Sequence, residues 1–383
     1  MRQTVEPMAE RMLELARVAQ PLVVREILQI CPIAAPTFAE EARARYVAQR
    51  FREFGLTEVH VDSIWNVVAR VRGKGTGPTI LFAAHLDTVF PAETDLRVKM
   101  EGEMLRAPGV GDNTAAVAVL LHVARLLNQG ELLPDGDVIL AATVGEEGLG
   151  NLRGIRVVLD GIGKDAEYVI PLDGSLGGLV AQGVASRRWR LQVTAEGGHS
   201  WGAFGAPSAI HALGRMIAAI SEVRVPSAPK TTFNVGLIRG GTSVNTIAAE
   251  AEAVIDLRSL STDELRRLEE RVKRSVSQLA TETGTFVKWE LIGDRPGGSI
   301  PTDHALCQFV RSVHERLSIP TRAYASSTDG NVPLSRGIPA VTVGVTLGGN
   351  GHRLDEYIHT TPLIKGLAQI LLLVDGAAAL PRR

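Results

Sequence analysis

The sequence predicts an α/β fold in which helices sandwich a mixed, mainly parallel sheet, with an α+β domain inserted into the chain. Two patterns predict this fold. First, four apolar segments rich in branched residues lack polar alternation, as strands buried on both faces of a parallel sheet do, and helical patterns separate them. Second, segments between residues 185 and 298 alternate polar and apolar residues, which is typical of half-exposed antiparallel strands.

The chain begins with two predicted helices. Apolar residues recur at helical spacing in residues 8–30 and 39–54, and Gly55 ends the second helix. Short strands follow at residues 58–61 and 66–71. The four buried strands are predicted at residues 79–84, 137–144, 168–172 and 340–345, and the helices of this texture at residues 114–127 and 362–379.

These patterns divide the chain into a main domain, residues 1–184 and 299–383, and an inserted domain, residues 185–298. After residue 298 the pattern of apolar buried strands and helices appears again. The stretch 293–299, which contains glycine and proline, is the predicted linker. Within the inserted domain we expect strands at residues 187–196 and 248–258 and helices at residues 208–223 and 262–282.

Composition excludes several classes of protein. The 383 residues carry 41 Lys+Arg against 42 Asp+Glu, and aromatic residues make up 4%, so neither a basic field nor a base-stacking surface for nucleic acid is expected. Two cysteines cannot form a disulfide framework or a thiolate zinc site. The apolar stretch 115–127 contains His122 and Arg125 and is too short to span a bilayer. We therefore expect a soluble, cytoplasmic protein that binds no membrane.

Side chains that bind metals follow the buried strands. Ligands in open α/β folds bind beyond the carboxyl ends of the strands, so these side chains are expected to converge. Singly, each has an ordinary explanation, such as a solvated carboxylate or a hydrogen-bonded core histidine. Carboxylates gathered at one edge would repel one another, and a pair of Zn²⁺ ions bridged by one carboxylate would relieve this repulsion. The candidates at strand ends are His85, Asp87, Glu146, Glu147, Asp173 and His352, and a further acid, Asp112, lies just before a helix.

In their order along the chain, these motifs resemble a known family. His85-Leu86-Asp87, Gly111-Asp112-Asn113, Gly145-Glu146-Glu147, Asp173-Gly174 and His352 are similar to the motifs of the co-catalytic zinc peptidases and deacylases. That family includes peptidase T, glutamate carboxypeptidase and succinyl-diaminopimelate desuccinylase. The resemblance covers essentially the whole chain. It implies a catalytic main domain and an inserted domain that acts as a lid and forms a homodimer.

The resemblance also implies a ligand set. His85 and Asp173 would hold one metal ion, Glu147 and His352 the other, and Asp112 would bridge them. The cofactor would be two divalent ions per chain, zinc in the first place, with cobalt or manganese as alternatives. Asn113 and Thr114 follow the bridging acid where family members usually have a lysine or a second aspartate nearby, which affects the substrate assignment and not the ligand set.

Five further roles follow from the same resemblance. Asp87 would hydrogen-bond the far nitrogen of His85, and Glu146 would be the general base. His199, in Gly197-Gly198-His199-Ser200, would cross the dimer and stabilise the oxyanion in the partner's site. Asn245 and Arg258 stand where relatives bind a substrate carboxylate or backbone; without the resemblance, a surface ion pair explains Arg258 equally well.

Other functional classes fit the sequence less well. Gly148-x-Gly150-x-x-x-Gly154 follows a buried strand, but it has one residue too many for a dinucleotide fingerprint and follows two acids that would repel a pyrophosphate. A nicotinamide oxidoreductase is therefore disfavoured. A metal-free binding scaffold is also disfavoured, because every ligand position is filled.

The metal motifs do not decide between a peptidase and an N-acyl-amino-acid deacylase, since both cleave an amide. Asp173 stands where carboxypeptidases and deacylases of the family usually carry glutamate, and this favours an aminopeptidase that acts on short peptides. The segment Ser200-Trp201-Gly202 is unlike peptidase T. A carboxypeptidase, or a deacylase acting on N-acyl amino acids, is the alternative.

Overall fold

The structure is a computed structural model that describes residues 6–382. The described helices, numbered in chain order, are α1 (Glu6–Ile30), α2 (Glu41–Glu53), α3 (Ala115–Asn128), α4 (Arg153–Asp160), α5 (Ala209–Ser221), α6 (Thr262–Thr283), α7 (Ala305–Arg316), α8 (Asn331–Ser335) and α9 (Leu363–Asp375). A single helical turn, Val110–Thr114, precedes α3, and a 3₁₀ turn, Gly376–Ala379, follows α9.

The strands are numbered in the same way, and several of them are only two residues long. They are β1 (Val59–Val61), β2 (Val67–Val71), β3 (Ile80–His85), β4 (Lys99–Glu101), β5 (Met104–Arg106), β6 (Val138–Thr143), β7 (Tyr168–Pro171), β8 (Gly178–Leu179), β9 (Gln182–Gly183), β10 (Ala185–Thr194), β11 (Gly198–His199), β12 (Thr231–Gly240), β13 (Thr246–Ile247), β14 (Glu250–Ser259), β15 (Phe286–Arg295), β16 (Gly298–Ser299), β17 (Arg322–Ala323), β18 (Gly348–Gly349) and β19 (Tyr357–His359).

The chain forms two compact units. Unit 1 consists of Met1–Gly183 and Ser299–Arg383, and unit 2 consists of Val184–Gly298. Unit 1 contains a five-stranded sheet in the order β1-β2-β6-β3-β7, in which β6, β3 and β7 are parallel and the β1–β2 and β2–β6 pairs are antiparallel. The sheet is mixed and its central strands are parallel, as predicted.

The side chains of β3 show why this sheet needs helices on both faces. Ile80, Phe82 and Ala84 belong to one buried core, which also contains residues of α1, α3 and α9. Leu81 and Ala83 point the other way and belong to a second buried core, which contains residues of α4 and α8. A strand buried on both faces carries no polar alternation, which is the pattern seen in the sequence.

The strand predicted at residues 340–345 forms only isolated bridges. Val169 and Leu172 pair in parallel with Ala340 and Val343, so the segment extends the sheet beyond β7. The segment is not a regular strand, because it is joined to β7 by isolated bridges and not by a continuous ladder of hydrogen bonds.

The helix α3 lies at the centre of unit 1. By length and composition alone, the longer segment Val110–Asn128, which joins α3 to the turn before it, could cross a membrane. However, 83% of the segment is buried inside the protein, which is the pattern of a core helix. His122 is itself buried there and faces Glu26 of α1.

Unit 2 is a four-stranded antiparallel sheet with two helices on one face. The strand order is β12-β14-β10-β15. Inward residues of β10 and β14, such as Leu191 and Ile255, form one core with α5 and α6. Each helix begins at a serine: Ser208 accepts the His211 N–H, and Ser261 accepts the Glu264 N–H.

Candidate metal centre

Parallel strands bring three sequence-distant segments to one edge of unit 1. His85 is the last residue of β3 and pairs with Thr143, the last residue of β6. The turn with Glu146 and Glu147 follows β6 directly, and Asp173 follows β7 on the other side of β3. The carboxyl ends of adjacent parallel strands meet at one edge, so the topology gathers these side chains.

The remaining two predicted ligands come from segments outside the sheet. Asp112 lies in the turn Val110–Thr114 before α3. His352 lies in the loop between β18 and β19, which form a small sheet with β5 and β4. His352 has a φ of 65°, an uncommon conformation for a residue with a side chain, so the surrounding structure holds this loop in place.

The described residues form two potential ligand groups that share Asp112. One group is His85, Asp112 and Asp173, and the other is Asp112, Glu147 and His352. Within each group, one ligand atom per residue lies within 4.8 Å of the others. The Oδ1 atom of Asp112 is 3.0 Å from Nε2 of His85, and its Oδ2 atom is 3.1 Å from Nε2 of His352. The two oxygens of Asp112 therefore face two different groups, as a bridging carboxylate requires.

The electrostatics of this cluster fit a pair of divalent ions. Nε2 of His85 and Oδ1 of Asp112 are buried and form no hydrogen bond of normal geometry, although they lie close together. Burial, together with the charges of Asp112 and Glu147, raises the pKa of Asp173 to about 7. Carboxylates crowded in this way repel one another unless a cation lies between them. The donor set of carboxylate oxygens and imidazole nitrogens is one that zinc and other divalent ions accept.

In the metal-free protein, protons on the histidines partly compensate these acids. Hydrogen bonds to Asp112 and Glu147 raise the pKa of His352 to about 10. Burial lowers the pKa of His85, but the nearby carboxylates of Asp112 and Asp87 outweigh this effect and raise the pKa well above its usual value. A metal ion takes the place of such protons, because a ligating imidazole must be neutral.

The carboxylate of Asp87 has hydrogen-bond partners that the sequence did not predict. Nδ1 of His85 lies 3.0 Å from the main-chain oxygen of Asp87 and 3.6 Å from its carboxylate, which is too long for a hydrogen bond. The carboxylate instead accepts the N–H groups of Glu146 (3.0 Å) and Glu147 (2.9 Å) and the hydroxyl of Thr37 (2.9 Å). The backbone of Asp87 therefore orients His85, while its carboxylate holds the turn that carries both glutamates.

Glu146 lies beside the ligand groups without belonging to either. It is buried, and its carboxylate forms a third group with His85 and Glu147 within the same 4.8 Å limit. The adjacent Glu147 contacts His352 at 2.9 Å. The two neighbours therefore differ in their surroundings: Glu147 contacts His352, and Glu146 lies beside His85 and Glu147.

The comparison with known families decides the assignment. The sequence profile described as Peptidase family M20/M25/M40 matches residues 81–375. The chain belongs to peptidase family M20/M25/M40. The resemblance seen in the sequence motifs is therefore confirmed.

Members of the M20 family resemble the chain over nearly its whole length. Succinyl-diaminopimelate desuccinylase of Corynebacterium glutamicum is 26% identical over 348 residues, which are 88% of this chain and 91% of that protein. The structure of aminopeptidase PepT from Bacillus cereus has a TM-score of 0.78 at 22% identity, covering 94% of this chain and 99% of that chain. The structure of the Bacillus subtilis YXEP protein, described as a dinuclear metal binding peptidase, has a TM-score of 0.69 at 17% identity, covering 94% and 99%. At these identities the structures confirm the fold alone.

The other predicted site residues lie in unit 2. His199 is exposed, and its Nδ1 accepts the N–H groups of Trp201 and Gly202, each at 3.2 Å. Asn245 is next to it in space, since its main-chain oxygen accepts the Ser200 N–H at 3.0 Å. The structure thus brings His199 and Asn245 together.

Arg258 is not part of this pair. It lies on β14, and its Nε donates to the carboxylate of Asp256 at 2.7 Å. Of the two explanations that the sequence allowed for Arg258, this contact corresponds to the surface ion pair.

Two residues near the centre were not predicted from the sequence. Thr37 contacts Asp87, and no motif around it signals this role. Glu356 accepts three main-chain N–H groups of the turn that carries Asp112. Glu356 stands four residues after His352, and this spacing is the signal that the sequence offers.

Proposed function

We propose that the protein is a metal-dependent aminopeptidase that cleaves short peptides with a free amino end. The observation that carries this proposal is the pair of ligand groups that share Asp112, since such a centre suits hydrolysis of an amide. Two divalent ions held there, zinc in the first place, would act as a Lewis acid and lower the pKa of a water. His85 and Asp173 would hold one ion, Glu147 and His352 the other.

Within this proposal Glu146 is the general base. It takes the proton of the attacking water and delivers it to the leaving amine. The carboxylate of Asp87 supports this role, because it holds the main-chain N–H of Glu146 and so limits the positions that the base can adopt. Burial of Glu146 keeps bulk water from competing for the same proton.

The surroundings of Asp173 favour a substrate with a free amine. A pocket of about 200 Å³ opens beside Asp112 and Asp173. Its described lining includes Ser175, Thr346 and Tyr357 but no Lys, Arg or His. The lining therefore offers no basic side chain to a succinyl group or a C-terminal carboxylate, whereas an oxygen of Asp173 could meet an α-ammonium group.

Unit 2 has two features that support a role in a homodimer. Because Nδ1 of His199 accepts two N–H groups, the proton of the neutral ring is on Nε2, which can donate to an oxyanion. The edge strand β12 exposes Leu237 and Ile238, with 55% and 59% of their surface accessible, and could pair with a second copy. We place this dimer in the cytoplasm, as the composition suggests.

A panel of substrates tests the proposed reaction. It contains dipeptides and tripeptides with free ends, the same peptides acetylated at the amino end or amidated at the carboxyl end, and N-acetyl and N-succinyl amino acids. We expect acetylation to lower kcat/KM about ten- to hundredfold, since it leaves a buried carboxylate unpaired. Faster cleavage of the acetylated compounds would show that the protein is a deacylase. Loss of activity only when the carboxyl end is amidated would show that it is a carboxypeptidase.

A further inference from the structure

Glu356 is almost completely buried, with 2% of its surface accessible. Among the described residues, its carboxylate accepts hydrogen bonds from main-chain N–H groups, and no described Lys, Arg or His forms an ion pair with it. Oε1 accepts the N–H groups of Gly111 at 2.7 Å and Asp112 at 2.8 Å, and Oε2 accepts that of Gly109 at 3.0 Å. Burial of a carboxylate is costly, and these three hydrogen bonds offset part of that cost.

These three donors belong to the turn that carries the bridging acid. The N–H groups that precede a helix have no partner within the helix, and here one side chain satisfies three of them. The bond to the Asp112 N–H fixes the backbone at the residue whose two oxygens face His85 and His352. A rotation of this turn would move both oxygens at once.

Glu356 also connects the turn to the loop of a second ligand. It lies four residues after His352 in the chain, and its main-chain oxygen accepts the Ala107 N–H at 3.0 Å. Asp112 and His352 are the two ligands that the central sheet does not position. One residue thus joins the two segments that supply them.

We infer that Glu356 is a positioning residue that holds Asp112 in its bridging orientation between the two ligand groups. It is not itself a ligand, because it belongs to none of the potential metal groups among the described residues. Its hydrogen bonds are to the main chain of the turn that carries Asp112. The inference deepens the proposed function and rests on it for the part of Asp112 in catalysis.

The test compares Glu356→Gln with Glu26→Gln. Glu26 is also 2% exposed and is held by Arg50 and Tyr46, so its variant reproduces the loss of a buried carboxylate away from the centre. Both proteins are loaded with Co²⁺, and the visible absorption spectrum, the bound metal and the peptidase kinetics are recorded. For Glu356→Gln we expect a changed spectrum, an affinity for Co²⁺ about 10–100-fold lower and a lower kcat with little change in KM. Glu26→Gln should keep the wild-type spectrum.

A second readout needs neither metal nor substrate. In the metal-free protein, hydrogen exchange at Gly109, Gly111 and Asp112 should become faster in Glu356→Gln and stay slow in Glu26→Gln. If Glu356→Gln does not fold, Gly111→Ala keeps the test available. A Cβ at Gly111 would lie 3.1 Å from Oε1 of Glu356 and 3.0 Å from Cγ2 of Ile358, so this variant strains the contact between Glu356 and the turn and should also alter the Co²⁺ spectrum.

A Glu356→Gln protein with two Co²⁺ ions and an unchanged spectrum would overturn the inference, whatever its stability. The spectrum and the exchange rates do not depend on the substrate. A failure of the proposed peptidase reaction would therefore leave them unaffected, so the two failures are distinguishable.

Discussion

At the scale of single residues, neighbouring side chains of the same type have different surroundings. Glu146 and Glu147 share one turn and one supporting carboxylate, that of Asp87. Glu147 contacts His352, whereas Glu146 lies beside His85 and outside the two groups that Asp112 joins. The adjacent glutamates are therefore expected to respond differently to the same substitution.

Glu146→Gln should keep both metal ions and lower kcat by roughly 10²–10⁴, which is the usual contribution of a general base. Glu147→Gln should lose metal, because it removes a charged ligand. Elemental analysis of the purified variants, together with kcat, checks both statements. The reverse outcome, with metal lost from Glu146→Gln and retained in Glu147→Gln, would exchange the two roles.

The residue types at the centre could be predicted from the sequence, but their hydrogen bonds could not. His85, Glu147 and Asp173 were candidates because metal-binding residue types stand at strand ends, and Asp112 because an acid precedes a helix. The carboxylate of Asp87 accepts the N–H groups of Glu146 and Glu147. These hydrogen bonds depend on side-chain rotamers and on the distance between two strand ends. Neither quantity is encoded in spacing along the chain.

At the scale of elements, a buried polar cluster joins the first three helices. Glu26 of α1 accepts hydrogen bonds from Arg50 (2.9 Å) and Tyr46 (2.6 Å) of α2, and His122 of α3 faces it at 3.6 Å. Burial alone would raise the pKa of Glu26, but the interactions with His122, Arg50 and Tyr46 outweigh it and hold the pKa at about 2. The cluster therefore favours the ionised form in the folded state.

This pKa predicts a pH dependence of stability. Since the folded-state pKa lies below the ordinary value, Glu26 stabilises the fold above about pH 4.5, and its contribution disappears as the pH falls towards 2. In urea titrations at several pH values, the difference in unfolding free energy between wild type and Glu26→Gln should shrink by about 3 kcal/mol over this range. Glu41→Gln, which removes only an exposed ion pair with Arg45, is the control. An equal effect of both variants would contradict the prediction.

Helices and strands could be predicted where the hydrophobic pattern is clear. They were harder to predict where the pairing between two strands determines the structure. The sequence alone indicates the buried face of α1, through its helical spacing, and the strand β3, through its apolar run. The segment 340–345 has the composition of a strand, yet its single bridges to β7 depend on how closely the two backbones approach. Such distances belong to the tertiary structure.

At the scale of the whole molecule, the candidate metal centre brings together potential ligands up to 267 positions apart in the chain, from His85 to His352. The folded unit 1 must therefore form before a metal pair can be held. Treatment with a strong chelator should abolish activity, and Zn²⁺, Co²⁺ or Mn²⁺ should restore it. Elemental analysis should find about two ions per active chain. Full activity in metal-free protein would end the proposed mechanism.

The division of the chain into two units allows a test of whether two copies share one site. If His199 acts in the site of a partner subunit, a His199→Ala subunit has intact Glu146 but needs a partner's histidine. A Glu146→Gln subunit supplies that histidine while its own base is missing. Each mutant homodimer should be nearly inactive, because every site in it lacks one group.

Mixing the two variants should then restore activity. Each heterodimer contains one site with both an intact Glu146 and an intact His199, and one site that lacks both groups. With random exchange, half of the dimers are heterodimers with one working site, so activity should recover to about a quarter of the wild-type value per chain. The measurement is kcat before and after subunit exchange, with heterodimers counted by native mass spectrometry of tagged chains. Heterodimers without activity would place His199 in its own subunit's site, because no site would then gain the missing group. An active His199→Ala homodimer would place His199 outside catalysis.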